Sequence, residues 1–482
     1  MTKTHPRKPG DPRRGRPRLA VLAAGAALLA GCASFSPDGG FDKVSDLTKD
    51  RIGQAVAVQR TGGEAASAQA RVAGYLQEPL TAESAVAVAL LSNRGLQAKF
   101  GELGIAEADL VRAGRLRNPL LSFSRLSGGG DVEIERGILF DVLGLLTLPA
   151  AREVGQRRFE QAQLRAAADA VALAADVRRA YVEAVAAREA VHYASQVREA
   201  ADASGELARR MQQAGNFSKL AQMREQAFQA DAVAQLARAR HQATAQRERL
   251  TRLLGLAGEQ ANYRLPERLP DLPAQPVDTR DAERAALDKR LDVLMARRAV
   301  DATARSLGLA KATRFVNVLE AGYRNRSESG KPRANGWEIE LELPLFDFGA
   351  ARTARAEAVY MQAFNRTAEV AVNAQSEVRE AHSAYTTAYE LARHYRDEVV
   401  PLRKRISEEN LLRYNAMLIG PFELLADARE QVAGVTGYLQ ALRDFWLADG
   451  NLQLALTGVS PGAAPSLTLP SAGSAGAPAA GH

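Results

Sequence analysis

Apolar positions in this chain recur mostly at helical spacing, over stretches far longer than a globular helix. From Ala150 to about Ala214 there is no proline, and only Gly155 and Gly205 interrupt an alanine-dominated run laced with Arg, Glu and Gln. Alanine has the best intrinsic helix propensity, and at 1.5 Å per residue a helix of ~64 residues is about 95 Å long. Gly215-Asn216-Phe217-Ser218 reads as a turn, followed by a second long helix to about Leu254. The pattern returns from Gly349 to about Met417, with Pro401 as a kink or break. A turn at Gly420-Pro421-Phe422 then leads into a last helix ending near Leu456. Shorter helices are predicted over Thr81–Arg115 and Asp281–Lys311. Thr81 is the N-cap of the first, Glu83 in its first turn suits the helix dipole, and Asn118-Pro119 stops it.

Two segments switch to a period of two. Pro119–Ser127 and Val132–Leu146 read as a hairpin around Ser127–Asp131, with Pro149 ending the second arm. Val132, Ile134, Ile138, Phe140 and Val142 fall on one side of that arm, and Glu133, Glu135 and Asp141 on the other; Arg136 breaks the apolar side. A second hairpin pairs Arg314–Arg324 with Trp337–Phe346 around the polar loop Asn325–Gly336. Trp337–Leu345 alternates without fault, placing Glu338, Glu340 and Glu342 on a wet face and the apolar residues on a covered one. Two readings fit: a half-buried strand of a soluble sheet, or a membrane strand with lipid outside and a polar lumen inside. Nine residues suffice for one tilted crossing, and Tyr323 and Trp337 flank the loop, where an interfacial aromatic girdle would sit. Four strands cannot close a barrel, and open edges are not tolerated in lipid. Bacterial barrels start at about eight strands, so several chains would have to share one, and three chains would give about 12.

The chain is internally duplicated. Val177-Arg178-Arg179-Ala180 matches Val378-Arg379-Glu380-Ala381, Gly215-x-Phe217 matches Gly420-x-Phe422, and Arg224-Glu225-Gln226 matches Arg429-Glu430-Gln431. Each half reads as helix, β-hairpin, long helix, turn, long helix. The first repeat takes in 79–258 and the second 279–458, joined by a linker over 259–278 that holds Pro266, Pro270, Pro273 and Pro276. Residues 459–482 are rich in Ala, Gly, Pro and Ser and read as a disordered tail.

The N-terminus carries a different signal. Arg13–Arg18 is a basic stretch, Leu19–Ala30 a short apolar run, and Leu29-Ala30-Gly31 leads to Cys32, the one cysteine of the 482 residues. The run is too short to span a bilayer and suits a signal peptide over 1–31. The ending resembles the bacterial lipobox, which makes Cys32 the acylated first residue of a tether over 32–78. A cysteine is needed because the thiolate is the nucleophile for lipid transfer, and several acyl chains together anchor stably. Ala33, in place of an Asp, points to the outer membrane. Seven cations against Asp11 put +6 of the formal +7 charge in residues 1–31, so the basic balance belongs to the leader and is no nucleic-acid signal. A lone cysteine forms no intrachain disulfide.

With these features in place, the chain resembles the TolC-like outer-membrane efflux proteins from about Pro79 to Gly458. The most specific piece is Leu343-Pro344-Leu345-Phe346-Asp347-Phe348-Gly349-Ala350-Ala351-Arg352, similar to the family's strand-to-helix junction. Ala214–Phe217 and Tyr414–Arg429 resemble its two helical-hairpin tips, and Asn118-Pro119 its strand start. Arg94 and Leu291 stand where the family often has Pro after Asn, and Leu145–Arg152 matches the first-half junction more loosely. The resemblance implies a membrane α+β fold: a homotrimer whose 12-stranded barrel, four strands per chain, is continued by a long α-helical coiled-coil tunnel. It also implies a periplasmic adaptor and an inner-membrane pump as partners, with the tunnel tips meeting the adaptor.

Such a protein is a passive duct for small molecules or ions, working by pore lining and a gate. Candidate tip contacts are Gly215, Asn216, Phe217, Gly420, Pro421 and Phe422; Phe217 and Phe422 could equally be packing staples of their turns. Candidate gate residues are Arg413, Tyr414, Glu423 and Asp427, which could also be solvated helix-face groups. The six histidines are isolated, with no metal-ligand spacing, and Gly128–Gly130 is a hairpin turn without a Walker A pattern, so no enzyme, metal or cofactor is expected beyond the lipid on Cys32. The alternatives are a lipid-anchored periplasmic adaptor, which would normally show one hairpin between β-rich domains, and a coiled-coil scaffold without a pore.

Overall fold

Asn93 and Arg290 decide where the two shorter helices break. In the computed structural model, which describes residues 34–276, 282–316, 318–342 and 346–462, the stretch expected as one helix over Thr81–Arg115 is two, α3 (Ala82–Ser92) and α4 (Arg94–Ala113). Thr81 caps α3 as expected, in a reciprocal pair with Ser84. Asn93 then leaves the helical region; its Oδ1 accepts the Leu96 N–H at 2.9 Å and its Nδ2 donates to the Leu253 carbonyl at 2.8 Å. The second half repeats the device, with α7 (Ala282–Lys289) and α8 (Leu291–Ala312) parted at Arg290. That side chain is 1% exposed, and its guanidinium reaches Asp292 at 2.6 Å and Glu377 at 2.7 Å. Both breaks fall just before Arg94 and Leu291, the positions without proline, so a polar side chain with tertiary partners does what proline does elsewhere.

The chain divides into two compact units. One takes in the described residues up to Gly40, Leu103–Ala162 and Arg298–Ala363. Its centre is one antiparallel sheet in the order β1-β2-β3-β4, with β1 Leu120–Gly128, β2 Asp131–Asp141, β3 Leu319–Glu328 and β4 Ala334–Leu341. Each hairpin comes from a different repeat, and β2 pairs with β3 to join them. Around the sheet, the α8 part of this unit is tied to the first helix of the long pair, α5 (Val142–Gln213), by Arg305–Glu153 at 2.7 Å.

Besides the start of β3, at Leu319 instead of Arg314 because residues 313–315 form a turn, three boundaries differ from the expected ones. Residues 142–146, read as strand, open the 72-residue α5, because Asp141 Oδ1 accepts the Gly144 N–H at 2.6 Å and so caps the helix; Pro149, expected to end the strand, lies inside the helix. The second hairpin turns at Ser329–Arg333, so β3 and β4 run on into the loop expected over Asn325–Gly336. The third is the stretch 34–78, read as a tether, which carries α1 (Phe41–Ile52) and α2 (Gly62–Tyr75).

The other unit comprises the described residues of Phe41–Glu102, Gln163–Arg297 and from Phe364 onward. α1 lies against it with Val44, Thr48 and Ile52 buried and Phe41 edge-on to Phe100 at 4.9 Å. Its long helices are the rest of α5, then α6 (Lys219–Leu254), α9 (from Ala350 to His394), α10 (Val400–Asn415) and α11 (Pro421–Thr457). Small residues let them approach: Ala167, Ala170, Ala174, Ala180, Ala388 and Ala392 are almost fully buried. The break expected at Pro401 is a π-helical turn, Tyr395–Val399, that widens the spiral where the ring would strike the preceding carbonyl. The Pro-rich linker is strapped on: Trp446 Nε1 donates to the Pro270 carbonyl at 3.0 Å, and Tyr389 Oη to that of Ala274 at 3.0 Å.

No described helix is long and apolar enough to cross a membrane, which says nothing of strands. The signal peptide, Cys32, the junction residues Leu343, Pro344 and Leu345, the Phe422 side chain and the tail from 463 onward lie outside the described residues.

Asp449, on α11, is half-buried, and desolvation holds its carboxyl above its ordinary value. Its folded pKa exceeds the unfolded one, so its effect on stability is least adverse below the unfolded value and worsens as pH rises through the folded value. Asp449→Asn keeps an acceptor for the Gln453 amide, now 2.8 Å away. The variant is therefore expected to match the wild type at about pH 4 and to melt higher at pH 7; equal melting temperatures at both would contradict this.

Candidate functional site

The register assigns every strand residue to one of two faces. Leu121, Ile138, Tyr323 and Trp337 form one row across all four strands. Phe140, Ala321 and Ile339 form the next, and Leu319 and Leu341 the one after. On the turn side the next row is Phe123, Arg136, Asn325 and Asn335, polar on β2, β3 and β4: Arg136 donates to Asn325 at 3.3 Å, and Asn325 to Asn335 at 2.6 Å. The aromatic pair Tyr323–Trp337 thus stands directly below a polar rim. The apolar rows are open in the single chain, with Leu121 76%, Ile339 59% and Trp337 80% exposed. A contiguous apolar surface of this kind marks a lipid or protein contact.

The opposite face is charged on β2, β3 and β4, with Leu120, Leu126 and Leu139 as its apolar members toward β1. Glu133, Glu135, Glu328, Glu338 and Glu340 share it with Arg324 and Arg326. Arg324 pairs with Glu338 at 2.6 Å and Arg326 with Glu133 at 2.5 Å. Glu342 comes just past β4 and donates its backbone N–H to the Val318 carbonyl at 3.2 Å. Both outer strands, β1 and β4, have one hydrogen-bonding edge without a strand partner among the described residues.

At the far ends of the long helices, two short turns are built alike. After α5, Gly215 adopts φ +76°, and the Asn216 N–H returns to the Met211 carbonyl at 2.9 Å. Ser218 then caps α6, accepting the Ala221 N–H at 3.1 Å. After α10, Met417 takes the left-handed position at φ +60°, and the Leu418 N–H returns to the Arg413 carbonyl at 2.8 Å. Gly420 is the N-cap of α11.

The geometric counterpart of Gly215 is therefore Met417, and that of Ser218 is Gly420. The expected equivalence of Phe217 and Phe422 does not hold: Phe217 is in its turn, whereas Phe422 is the second residue of a helix. The capping geometry, rather than the Gly-x-Phe match, sets the register. Asn216, Phe217 and Pro421 do come together, lining one hollow of about 370 Å³ with Leu220 and Arg224.

Of the four gate candidates, Asp427 alone is buried; Arg413 and Glu423 are exposed and Tyr414 is half-buried. The polar link present here uses other residues. Glu225, 1% exposed on α6, accepts from Ser204 Oγ of α5 at 2.6 Å and is ion-paired with Arg429 of α11, whose guanidinium also lies over Phe228. Glu225 and Asp427 hold the same place in α6 and α11, counted from Ser218 and Gly420. The repeated Arg-Glu-Gln triplets mark both partners in the sequence, but nothing there says that Arg429 would take Glu225 while Glu430 takes Arg403, at 2.9 Å. Among the described residues no group of His, Cys, Asp and Glu could hold a metal ion.

No protein-family model matches the chain, and no curated protein matches it. Solved structures do. The outer-membrane channel OprN is 19% identical, with a TM-score of 0.67 over 86% of this chain and 95% of its own. The Campylobacter jejuni outer-membrane channel CmeC is 15% identical, with a TM-score of 0.68 over 79% and 87%. The open state of the Neisseria gonorrhoeae outer-membrane channel MtrE is 17% identical, with a TM-score of 0.65 over 78% and 88%. The chain has the fold of these outer-membrane channels. Four strands and two long helical hairpins, expected from the duplication, are thereby accounted for as one known architecture.

Removing the cation of a buried pair leaves an uncompensated charge, at a cost of about 3–5 kcal/mol. Arg429→Met should therefore lower the melting temperature of the helical circular-dichroism signal. Adding Glu225→Met should recover much of the loss, which an unrecovered double variant would contradict.

Proposed function

We propose that this chain is one protomer of a trimeric outer-membrane efflux channel, a passive duct for small molecules or ions. The two-faced sheet with unpaired edges carries the reading. Its apolar rows suit lipid, its charged face suits a wet lumen, and its edges at β1 and β4 can be satisfied in lipid by strands of further copies. Three copies supply twelve strands. Tyr323 and Trp337 then belong to the aromatic girdle, and Glu338, Glu340 and Glu342 to the lumen. The paired tips, with Asn216, Phe217 and Pro421 around one hollow, are the docking end for a periplasmic adaptor, which connects the duct to an inner-membrane pump supplying the energy. Cys32 carries the lipid, a secondary tether and assembly aid.

Purified trimer in planar bilayers should conduct, and absence of a pore would sink the reading in favour of an adaptor or scaffold. Ile339→Arg, on the apolar face, should block membrane assembly, since an arginine at mid-bilayer on a barrel costs ~2–4 kcal/mol per chain. Glu338→Lys, on the charged face, should assemble and change only conductance. The opposite ranking would reverse the two faces.

Replacing the lone cysteine by Cys32→Ser, with export through a cleavable signal, should reduce the yield of assembled protein without abolishing the pore. Complete loss of membrane association would show that the sheet does not insert.

A further inference from the structure

Ahead of α1, the chain is gripped at Ser36. Its backbone N–H, at 2.7 Å, and its hydroxyl, at 2.5 Å, both donate to Oε1 of Glu107 on α4. Glu107 is 7% exposed, and among the described residues no cation pairs with it. A buried carboxylate is costly unless donors reach it, and an apolar side chain would meet the needs of packing here. The acid therefore serves the grip on Ser36. Before the grip, Ser34 and Phe35 are exposed. After it the chain turns, the Gly39 N–H returning to the Ser36 carbonyl at 3.2 Å, and enters α1 at Phe41.

Ser36, Glu107 and the sheet belong to the same unit. From Glu107 to the end of α4 at Ala113 is about 9 Å at 1.5 Å per residue. The stretch 114–119 then leads to β1 at Leu120. The surface at this base is apolar, with Leu116, Leu120, Leu145 and Leu146 all exposed. Cys32 precedes Ser36 by four residues, which reach at most about 14 Å, more than the 9 Å left of α4. Were Ser36 released, the free chain would run back as far as Phe41, nine residues and about 32 Å when extended. The local concentration of a tethered group falls roughly as the −3/2 power of tether length, so four residues against nine is a factor of about three.

We propose that Glu107 and Ser36 form an anchor clamp, which sets the acyl group of Cys32 down beside β1 of its own chain. The inference rests on the lipid carried by Cys32 in the reading above. β1 is one of the two edges that further copies must pair, so the clamp keeps that edge at the leaflet surface while the pairing strand arrives. Glu107 and Ser36 are positioning residues, acting on assembly through the lipid.

The test follows pulse-labelled full chain into heat-resistant oligomer in the outer membrane of a Gram-negative host. Two backgrounds are compared, the lipidated chain and Cys32→Ser exported by a cleavable signal. Glu107→Leu keeps the packing and removes the acceptor, and should slow assembly of the lipidated chain about threefold. Glu107→Gln keeps an oxygen for Ser36 and should stay near wild type. In the Cys32→Ser background neither change should slow assembly further. Equal slowing in both backgrounds would assign Glu107 to folding at large, and an unslowed lipidated Glu107→Leu would leave the clamp without effect; either result overturns the proposal. Labelled palmitate separates this inference from the reading beneath it. If wild type takes up none, the lipid reading fails and the clamp with it; uptake without slowing defeats the clamp alone. Should Glu107→Leu not fold, Ser36→Asp sets a second carboxylate against Glu107 from the surface side and should give the same slowing, again only in the lipidated chain.

Discussion

The backbone groups along the outer edges of β1 and β4 constrain everything else. In water an open edge is a liability; in lipid it is untenable, because each unpaired N–H or C=O lacks any solvent partner. A four-stranded sheet with one apolar and one charged face has no stable environment by itself. Water penalises its exposed Leu121, Ile339 and Trp337, and lipid penalises both its edges and its glutamates. Both penalties are relieved when copies close the sheet into a ring that separates lipid from lumen. For the proposed channel, oligomerisation is then a condition of the sheet's insertion rather than an addition to it.

The helical unit solves a different problem. Very long helices with few large apolar residues bury little area each, so they depend on close approach along alanine stripes and on polar clamps at chosen points. Arg290, joined to Asp292 and Glu377, and Glu225, joined to Ser204 and Arg429, are such clamps. A buried ion pair adds little net stability compared with a well-packed apolar pair, but it tolerates few alternative geometries. In helices whose alanine faces could slide past one another, that selectivity fixes which turns meet.

The duplication is regular in architecture and irregular in detail. Each tip has a left-handed residue followed three positions later by an N-cap, yet one uses Gly215 and Ser218 and the other Met417 and Gly420. The same place in α6 and α11 holds an acid in both, but Glu225 has a cation and Asp427 keeps a buried Oδ2 without a hydrogen bond. Two halves of one chain have diverged where their neighbours differ, while the backbone plan stayed the same.

The sequence by itself determined whatever depends on neighbours along the chain. The strand alternation around Trp337–Leu341, the Thr81 cap and the long helical runs were all legible, since pleat, capping and propensity are local. So was the condition that a membrane-spanning reading of four strands with two edges requires several chains. Tertiary structure alone decided features whose partners are remote. The break at Asn93 depends on the Leu253 carbonyl, and that at Arg290 on Glu377. The link near the tips joins Glu225 to a guanidinium in the other repeat. The strand expected to run on to Leu146 became helix because the Asp141 carboxylate caps it, a competition between two local signals whose outcome alternation alone could not show.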